Sequence, residues 1–311
     1  MKVSVVVLSF TQLEFVKRLV KQLLEQDYPA ADYEVLVVDN GSRDGTAAWL
    51  NSQRKSRLNS VVLEQALSRA AGRNRGIQAA RGELLIMIDS DHTVQSDFIS
   101  SHVRAHSRGP CAVVGKSDYA EHPDLIALNS YLNGCGAVKY PSGTKLPGRY
   151  FTTANCSILR QSLLAVGLFD ETFDKWGGED LDLGMRLEHA GIPIYGDHES
   201  LAIHHHFRSL KDVLKNKQAF GEAGIPLLLK KHPQLFRELN LDRVFKNPHE
   251  PNRFGALYRA VFRLACSRPI YLLARAFANI NARRPLPRFI FDYLHLRQYI
   301  SGYSRFLNSQ S

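Results

Sequence analysis

The stretch Leu84-Leu85-Ile86-Met87-Ile88-Asp89-Ser90-Asp91-His92 carries the decisive reading of this chain. Five apolar residues in a row have the length and composition of a buried strand, and the run stops at two carboxylates two residues apart. Along an extended backbone such residues point to the same side, so Asp89 and Asp91 share a face at the strand's end. Paired hard oxygen donors there suit Mg2+ or Mn2+, and such a cation in turn suits a diphosphate. Asp-x-Asp is also a common surface-turn pair, so its neighbours decide between the readings. Upstream stand Val35-Leu36-Val37-Val38-Asp39 and Arg73-Asn74. Downstream stand Trp176-Gly177-Gly178-Glu179-Asp180 and His204-His205-His206.

Working outward, short apolar runs alternate with segments of helical period. Residues 3–8 are strand-like, and Leu13, Val16, Leu19, Val20, Leu23 and Leu24 then recur at helical spacing. Residues 35–39 form a second strand, followed by the turn at 41–45 and a helix from Thr46. A short third strand is expected at 61–63, and a helix over about 69–80 closes near Gly82 as at a C-cap. This β-α-β-α-β-α-β order implies a parallel, doubly wound sheet that binds ligands at the carboxyl ends of its strands, where both Asp39 and Asp89 fall. No Gly-x-Gly-x-x-Gly follows the first strand, which argues against a dinucleotide-binding fold. The stretch GPCAVVGKS (109–117) has five residues between its glycines where a phosphate-binding P-loop has four, and they read as a strand.

The bulk numbers fit a globular enzyme: 311 residues, 44% hydrophobic and 23% charged, suffice for one large domain with an appendage. The charge is unevenly spread. Residues 1–206 hold 21 basic against 24 acidic side chains, a net of −3, whereas residues 207–311 hold 19 against 6, a net of +13. An anionic partner for the last third is expected, a membrane surface before a nucleic acid. Four cysteines (Cys111, Cys135, Cys156, Cys266) without Cys-x-x-Cys spacing point to reduced thiols. Neither a secretory leader nor an apolar run of membrane-spanning length is visible, so a cytoplasmic protein is expected, peripheral on the membrane face if its tail binds lipid.

The stretches VSVVVLSF (3–10), VVDNGSRDGT (37–46), AAGRNRGIQAARGELLIMIDSDH (70–92) and VGLFDETFDKWGGEDLDLGMRLEHAG (166–191) together resemble family-2 glycosyltransferases of the GT-A fold, in the family's order. The resemblance runs over about residues 3–208, two thirds of the chain. It implies a GT-A catalytic domain over 1–208, with a nucleotide-binding half (1–115) and an acceptor half (116–208), ahead of a basic helical region at 209–311. It also implies an enzyme that moves a sugar, with inversion, from a nucleotide-diphosphate sugar (a UDP-sugar first) to a glycan or lipid-linked acceptor hydroxyl.

On that resemblance Ser9 and Phe10 would line the base, Asp39 would accept from base or ribose, and Arg73 would lie near the nucleotide. Asp89 would support the ribose and the cation's water shell, and Asp91 would bind the Mg2+ or Mn2+ that bridges the diphosphate. Phe10 stands where the family often has Tyr. From the residues alone, Ser9 and Phe10 also read as packing residues and Asp39-Asn40-Gly41 as a plain turn. Asp180 would be the catalytic base, with Glu179 on the acceptor or steadying Asp180. The bland alternative is that both acids complement a helix N-terminus. Trp176, Gly177 and Gly178 would border the acceptor or donor sugar, and Asn155, ahead of a helix expected through Leu159, Leu163 and Val166, would sit near the donor sugar.

Of the three adjacent histidines, alternation groups His204 with His206 and turns His205 away. The resemblance favours His204 as a third metal ligand, against a histidine that packs without metal. Residues 119–149, rich in Gly, Pro, Asn and Tyr, read as an acceptor-side loop. In the tail, Phe254, Leu257, Tyr258, Val261, Phe262 and Ala265 share one helical face with Arg259 and Arg263 opposite, and further apolar segments follow at 270–280 and from Arg288. Such helices suit an anionic membrane interface, or pack on the catalytic domain as an ordinary appendage. Two rival functions stand beside the transferase: a nucleotidyltransferase of related fold, and a non-enzymatic, basic membrane-binding protein with a degenerate transferase domain.

Overall fold

The computed structural model describes residues 1–53, 56–248, 250–251 and 253–310. The chain divides into two compact units. One comprises residues 1–120, 133–174 and 179–206; the other comprises 121–132, 175–178 and 207–311.

The first unit is built on one nine-stranded sheet. Its strands are β1 (Val3–Ser9), β2 (Tyr33–Asp39), β3 (Leu58–Val62), β4 (Leu84–Asp89), β5 (His92–Val94), β6 (Ala112–Tyr119), β7 (Lys145–Leu146), β8 (Asn155–Leu159) and β9 (Ile194–His204). The spatial order is β3-β2-β1-β4-β8-β6-β9-β5, with β7 added on β9. The β3-β2-β1-β4 half is parallel, as the β-α alternation demands. Beyond β4 the sheet turns mixed: β8 runs antiparallel to β4 and β6, and β5 and β7 run antiparallel to β9.

Helices α1 (Leu13–Leu24), α2 (Thr46–Ser52) and α3 (Arg69–Ala79) link the strands of the parallel half, and α4 (Phe98–Ala105) follows β5. Alternate residues of its strands feed two cores. Val5, Val7, Val35 and Ile86 pack with Leu19, Leu23 of α1 and Phe98 of α4 on one face. On the other, Val6, Leu36, Val38 and Met87 pack with Ile77 of α3. The close approach of α3 depends on its glycines. A Cβ on Gly76 would lie 2.6 Å from Val6 Cγ1 and 2.9 Å from Val38 Cγ2, and one on Gly72 would lie 2.9 Å from Leu8 Cδ1. That proximity brings Arg73, the next residue, to the carboxyl ends of β1 and β4. The helix starts at Ser68, whose Oγ accepts from Ala71 N–H. It ends at Ala79, and Gly82 is not its cap: Gly82 N–H donates to Ser4 Oγ at 2.8 Å where the chain enters β4.

The remaining helices are α5 (Ile126–Asn133), α6 (Arg160–Ala165), α7 (Glu179–His189), α8 (Leu210–Ala219), α9 (Ile225–Lys231), α10 (Leu235–Glu238), α11 (Ala256–Ala265), α12 (Arg268–Ile280) and α13 (Arg288–Gln310). In the second unit α8 and the π-helical turn Phe220–Gly224 pack on α13, and Gly221 and Gly302 permit the contact: a Cβ on Gly302 would meet Gln218 O at 2.1 Å. Residues 121–132 belong here because α5 packs on α13. The Tyr131 ring stacks on Phe291 with centroids 4.9 Å apart, and its hydroxyl donates to Asp292 Oδ1 at 2.8 Å. All four cysteines are free thiols. Among the described residues no helix is long and apolar enough to cross a membrane.

Candidate active site

The carboxyl ends of β1, β2 and β4 lie side by side in register, with Ser9 opposite Asp39 and Leu8 opposite Asp89. Ser9 and Asp39 are buried, and both Ser9 Oγ and Asp39 Oδ2 lack a hydrogen-bond partner within the protein. Asp39 Oδ1 accepts from Ser42 N–H at 3.2 Å. The turn that follows requires its glycine: Gly41 has φ +78°, and a Cβ there would lie 2.6 Å from the backbone nitrogen of Ala66. Asn40 holds the same loop by donating to Leu67 O and accepting from Leu67 N–H, each at 3.0 Å. Phe10, next to Ser9, is 54% exposed.

Arg73 ties three acids together. It donates from Nη1 to Glu179 Oε1 and from Nη2 to Asp89 Oδ1, both at 3.2 Å, and Nη1 lies 3.6 Å from Asp180 Oδ1. One guanidinium against three carboxylates leaves the cluster with excess negative charge. Burial would favour neutral Arg73, but Asp180, Asp89 and Glu179 outweigh it and raise its pKa further. Burial, then the charge of Asp180, pushes Glu179 up from the usual carboxylate range, against Arg73.

Both acids open α7, where the helix N-terminus favours negative charge. Their environments differ. The Glu179 side chain is only 6% exposed, whereas that of Asp180 is 24% exposed. Asp180 is aimed by the strand leading into β8: Thr153 N–H donates to Oδ2 at 3.1 Å and Thr153 Oγ1 to Oδ1 at 2.7 Å, with Thr152 Oγ1 at 3.4 Å from Oδ2. The sequence reading missed Thr152 and Thr153 in this role. Asn155, expected ahead of a helix, instead begins β8.

Asp91 turns into a second cluster. Its Oδ1 lies 3.1 Å from His92 Nδ1 and its Oδ2 lies 3.4 Å from His204 Nε2, while Oδ1 is buried without a well-aligned hydrogen bond. Burial alone would raise the Asp91 carboxyl, but hydrogen bonding and charge from His204 and His92 prevail and hold it well below the usual range. The register pairing His92 with His204 across β5 and β9 brings His204 to Asp91. His205 turns to Thr93, Nε2 to Oγ1 at 2.8 Å, and the His206 ring stands 6.4 Å from that of His204. His92 was missed as a partner because its spacing in Asp-Ser-Asp-His gives no metal signature of its own. Among the described residues, no three or more His, Cys, Asp or Glu side chains are already gathered round one point. A buried carboxylate oxygen without a well-aligned hydrogen bond, next to an imidazole, nonetheless fits a divalent cation, since Mg2+ in such sites takes one or two protein carboxylates and draws other ligands from water and phosphate.

Two further groups of expected residues make framework contacts. Asn155 is fully buried, and its side chain is spent on the framework: Nδ2 donates to Lys116 O and Ser200 O, and Oδ1 is 3.0 Å from His102 Nε2. That leaves it no capacity for a sugar. Trp176, Gly177 and Gly178 belong to the second unit, where Lys217 Nζ sits 5.6 Å over the Trp176 ring and Gly177 O would meet a Cβ on Gly224 at 2.6 Å.

The network around Asn155 has a consequence for acid stability. Burial pushes His102 from 6.5 down to about 4, against its hydrogen bond to Asn155 Oδ1. Folded His102 is therefore neutral where the unfolded residue already binds a proton. The stabilisation is full above about pH 6.5 and is lost as pH falls through about 4, a swing of roughly 3 kcal/mol. His102→Gln should flatten the decline in unfolding free energy from urea titrations between those pH values by about that amount. An unchanged profile would show that His102 does not carry it.

The doubly wound sheet carries its acids at the carboxyl edge, where folds of this kind bind their ligands. The chain belongs to the family described as Glycosyl transferase family 2, whose model matches residues 4–165, and a model described as N-terminal domain of galactosyltransferase matches residues 135–209. It is similar to the uncharacterized glycosyltransferase YfnE of Bacillus subtilis, 26% identical over 338 residues that cover 90% of this chain and 83% of that protein. Validoxylamine A glucosyltransferase of Streptomyces hygroscopicus subsp. jinggangensis is 29% identical over 270 residues, 76% of this chain and 62% of its own length. Among solved structures, the fold matches the mannosyltransferase PcManGT from Pyrobaculum calidifontis in complex with GDP-Man and Mn2+ at a TM-score of 0.66, with 17% identity and coverage of 100% and 88% of the two chains. Staphylococcus aureus TarS 1–349 in complex with UDP-GlcNAc matches at 0.57, with 14% identity over 99% and 92%. The protein is a family-2 glycosyltransferase with the GT-A fold.

Proposed function

We propose that the chain transfers a sugar, with inversion and with Mg2+ or Mn2+ bound, from a nucleoside-diphosphate sugar to a hydroxyl of a glycan or lipid-linked acceptor. The observation that carries this reading is the joining of Asp89, Glu179 and Asp180 through Arg73, with Asp91 and His204 beside the same strand end. A UDP-sugar is the first donor to test. Buried Asp39 is an acceptor-only group and suits a base that presents a ring N–H, as uracil does, while Phe10 offers its face to the ring.

Asp91 and His204 would hold the cation, which when bound would neutralise charge on the departing diphosphate. Arg73 keeps Asp89 and Glu179 fixed and offsets their mutual repulsion. Asp180, the more exposed of the two acids at the start of α7, takes the proton from the acceptor hydroxyl. The freed oxygen attacks the anomeric carbon as its bond to the diphosphate breaks, so a single displacement inverts that centre. General-base help of this kind supplies roughly 10²–10⁴ in rate, which a sugar hydroxyl needs near neutral pH.

The experiment is a screen of nucleotide-sugar hydrolysis with released nucleoside diphosphate as readout, followed by calorimetry of that diphosphate with and without chelator. Asp91→Ala and the isosteric Asp91→Asn are expected to abolish the metal-dependent part of the affinity while the thermal unfolding transition stays cooperative. Equal affinity of the wild type with and without chelator would remove the metal from this reading.

A further inference from the structure

We propose that α11 and α12, with the start of α13, form a docking surface for an anionic lipid bilayer, on which the chain lies without spanning it. Leu257, Val261 and Leu264 make a stripe along α11, and none of the residues of that helix is buried; Leu257 is 80% exposed. On α12, Ile270, Leu273, Phe277 and Ile280 repeat at helical spacing and are all exposed, Ile280 by 83%. Tyr271 and Ala278, on the opposite side of α12, are its buried residues. Gln298 on α13 anchors Tyr271 by donating to its hydroxyl at 2.6 Å. The helix is thus held by one face and presents the other to solvent. Phe289, at the start of α13, adds a further exposed ring.

Charge selects the occupant. Residues 253–310 carry ten arginines, no lysine and one acid, Asp292. Arg259 and Arg263, opposite the apolar stripe, bond to backbone carbonyls: Arg263 Nε donates to Val244 O at 3.0 Å and Arg259 Nη1 to Phe254 O. Arg268, Arg283, Arg284 and Arg288 are the exposed cations at the ends of α12 and the start of α13. Arg283 meets Asp124 at 2.8 Å in a surface pair that solvent weakens. Apolar stripes ringed by cations match the acyl and headgroup layers of an anionic membrane. A second copy of the chain would bring like charge against like. A nucleic acid would meet the arginines but leave the stripes wet.

Flotation of the full chain with vesicles of phosphatidylcholine alone, and of phosphatidylcholine mixed with phosphatidylglycerol, tests this. Binding is expected to the mixed vesicles only and should weaken as salt is raised. Leu273→Glu combined with Ile280→Glu should abolish flotation with no change in nucleotide-sugar hydrolysis or unfolding midpoint, because both side chains face solvent. Arg268→Gln and Arg283→Gln should each lower the partition coefficient by about fivefold. Equal binding to both vesicle types, or to neither, overturns the proposal. So does a concentration-dependent dimer in light scattering that the Leu273→Glu, Ile280→Glu pair dissolves, since the face would then belong to a second copy.

Discussion

Asp180→Asn is expected to leave donor affinity within a few-fold of wild type and to lower turnover by at least about a hundredfold. The carboxylate is aimed by Thr153 through both its N–H and its hydroxyl, and its side chain keeps 24% exposure. An amide fits the same space and cannot take a proton. Its NH2 group would also face one of the Thr153 donors, so the side chain loses a hydrogen bond as well. Glu179→Gln is the control. Glu179 is buried and already pushed towards its neutral form, which Gln resembles, so a smaller loss is expected. Single-turnover rates with donor affinity measured in parallel separate the two. Loss of turnover in Glu179→Gln with Asp180→Asn near normal would move the base by one residue. No effect of either would sink the displacement mechanism.

The parallel half of the sheet was legible because β1, β2 and β4 are mostly apolar runs with a clear stop, as strands buried on both faces are, whereas β3, partly polar and largely unburied, was expected at 61–63 and lies at Leu58–Val62. Residues 84–89 are the plainest case. The antiparallel half hid itself. Leu159, Leu163 and Val166 recur at helical spacing, yet Leu159 is the last residue of β8 and the helix is only Arg160–Ala165. Strand β9 is eleven residues long, but Asp197, His198 and Glu199 interrupt its apolar pattern, so only its last third read as a strand. Residues 119–149, read as one loop, hold α5 and β7, and α5 packs with the C-terminal helices, a pairing between segments some 160 residues apart that no local pattern announces.

Site positions followed the same division. Asp39 and Asp89 stand out because they end strands, Asp91 because it follows two residues on, and Glu179 and Asp180 because they start a helix, whereas the place given to Arg73 came only with the family resemblance. Thr152 and Thr153 could not, since their approach to Asp180 depends on the pairing of β8 with β4. The choice of His204 over its neighbours as the partner of Asp91 rests on the register of β5 on β9, which alternation along one strand cannot supply. Asn155 misled for the opposite reason: a polar residue at a strand start looks available until the buried imidazole of His102 is seen against it.

Arg73→Met should be the most damaging single change in the first unit, costing about 3–5 kcal/mol of stability and most of the turnover. The guanidinium is 6% exposed and lies within 3.6 Å of Asp89, Glu179 and Asp180. Removing one partner of a buried ion pair is costly because the other charge is left unpaired, and here three are left. Asp89, with a side chain 37% exposed, is partly screened by water and contributes least. Glu179, the most enclosed, contributes most and is the group that would take up a proton. Arg73→Lys restores the charge but not the planar fork that reaches separate carboxylates, so it should recover part of the stability and little of the turnover. Combining Arg73→Met with Glu179→Gln should lose less than the two changes separately, by about 1–3 kcal/mol, because the second removes the charge the first strands. Urea denaturation of the four proteins beside wild type decides it. An Arg73→Met protein within about 1 kcal/mol of wild type would mean that the acids are not held by this cation.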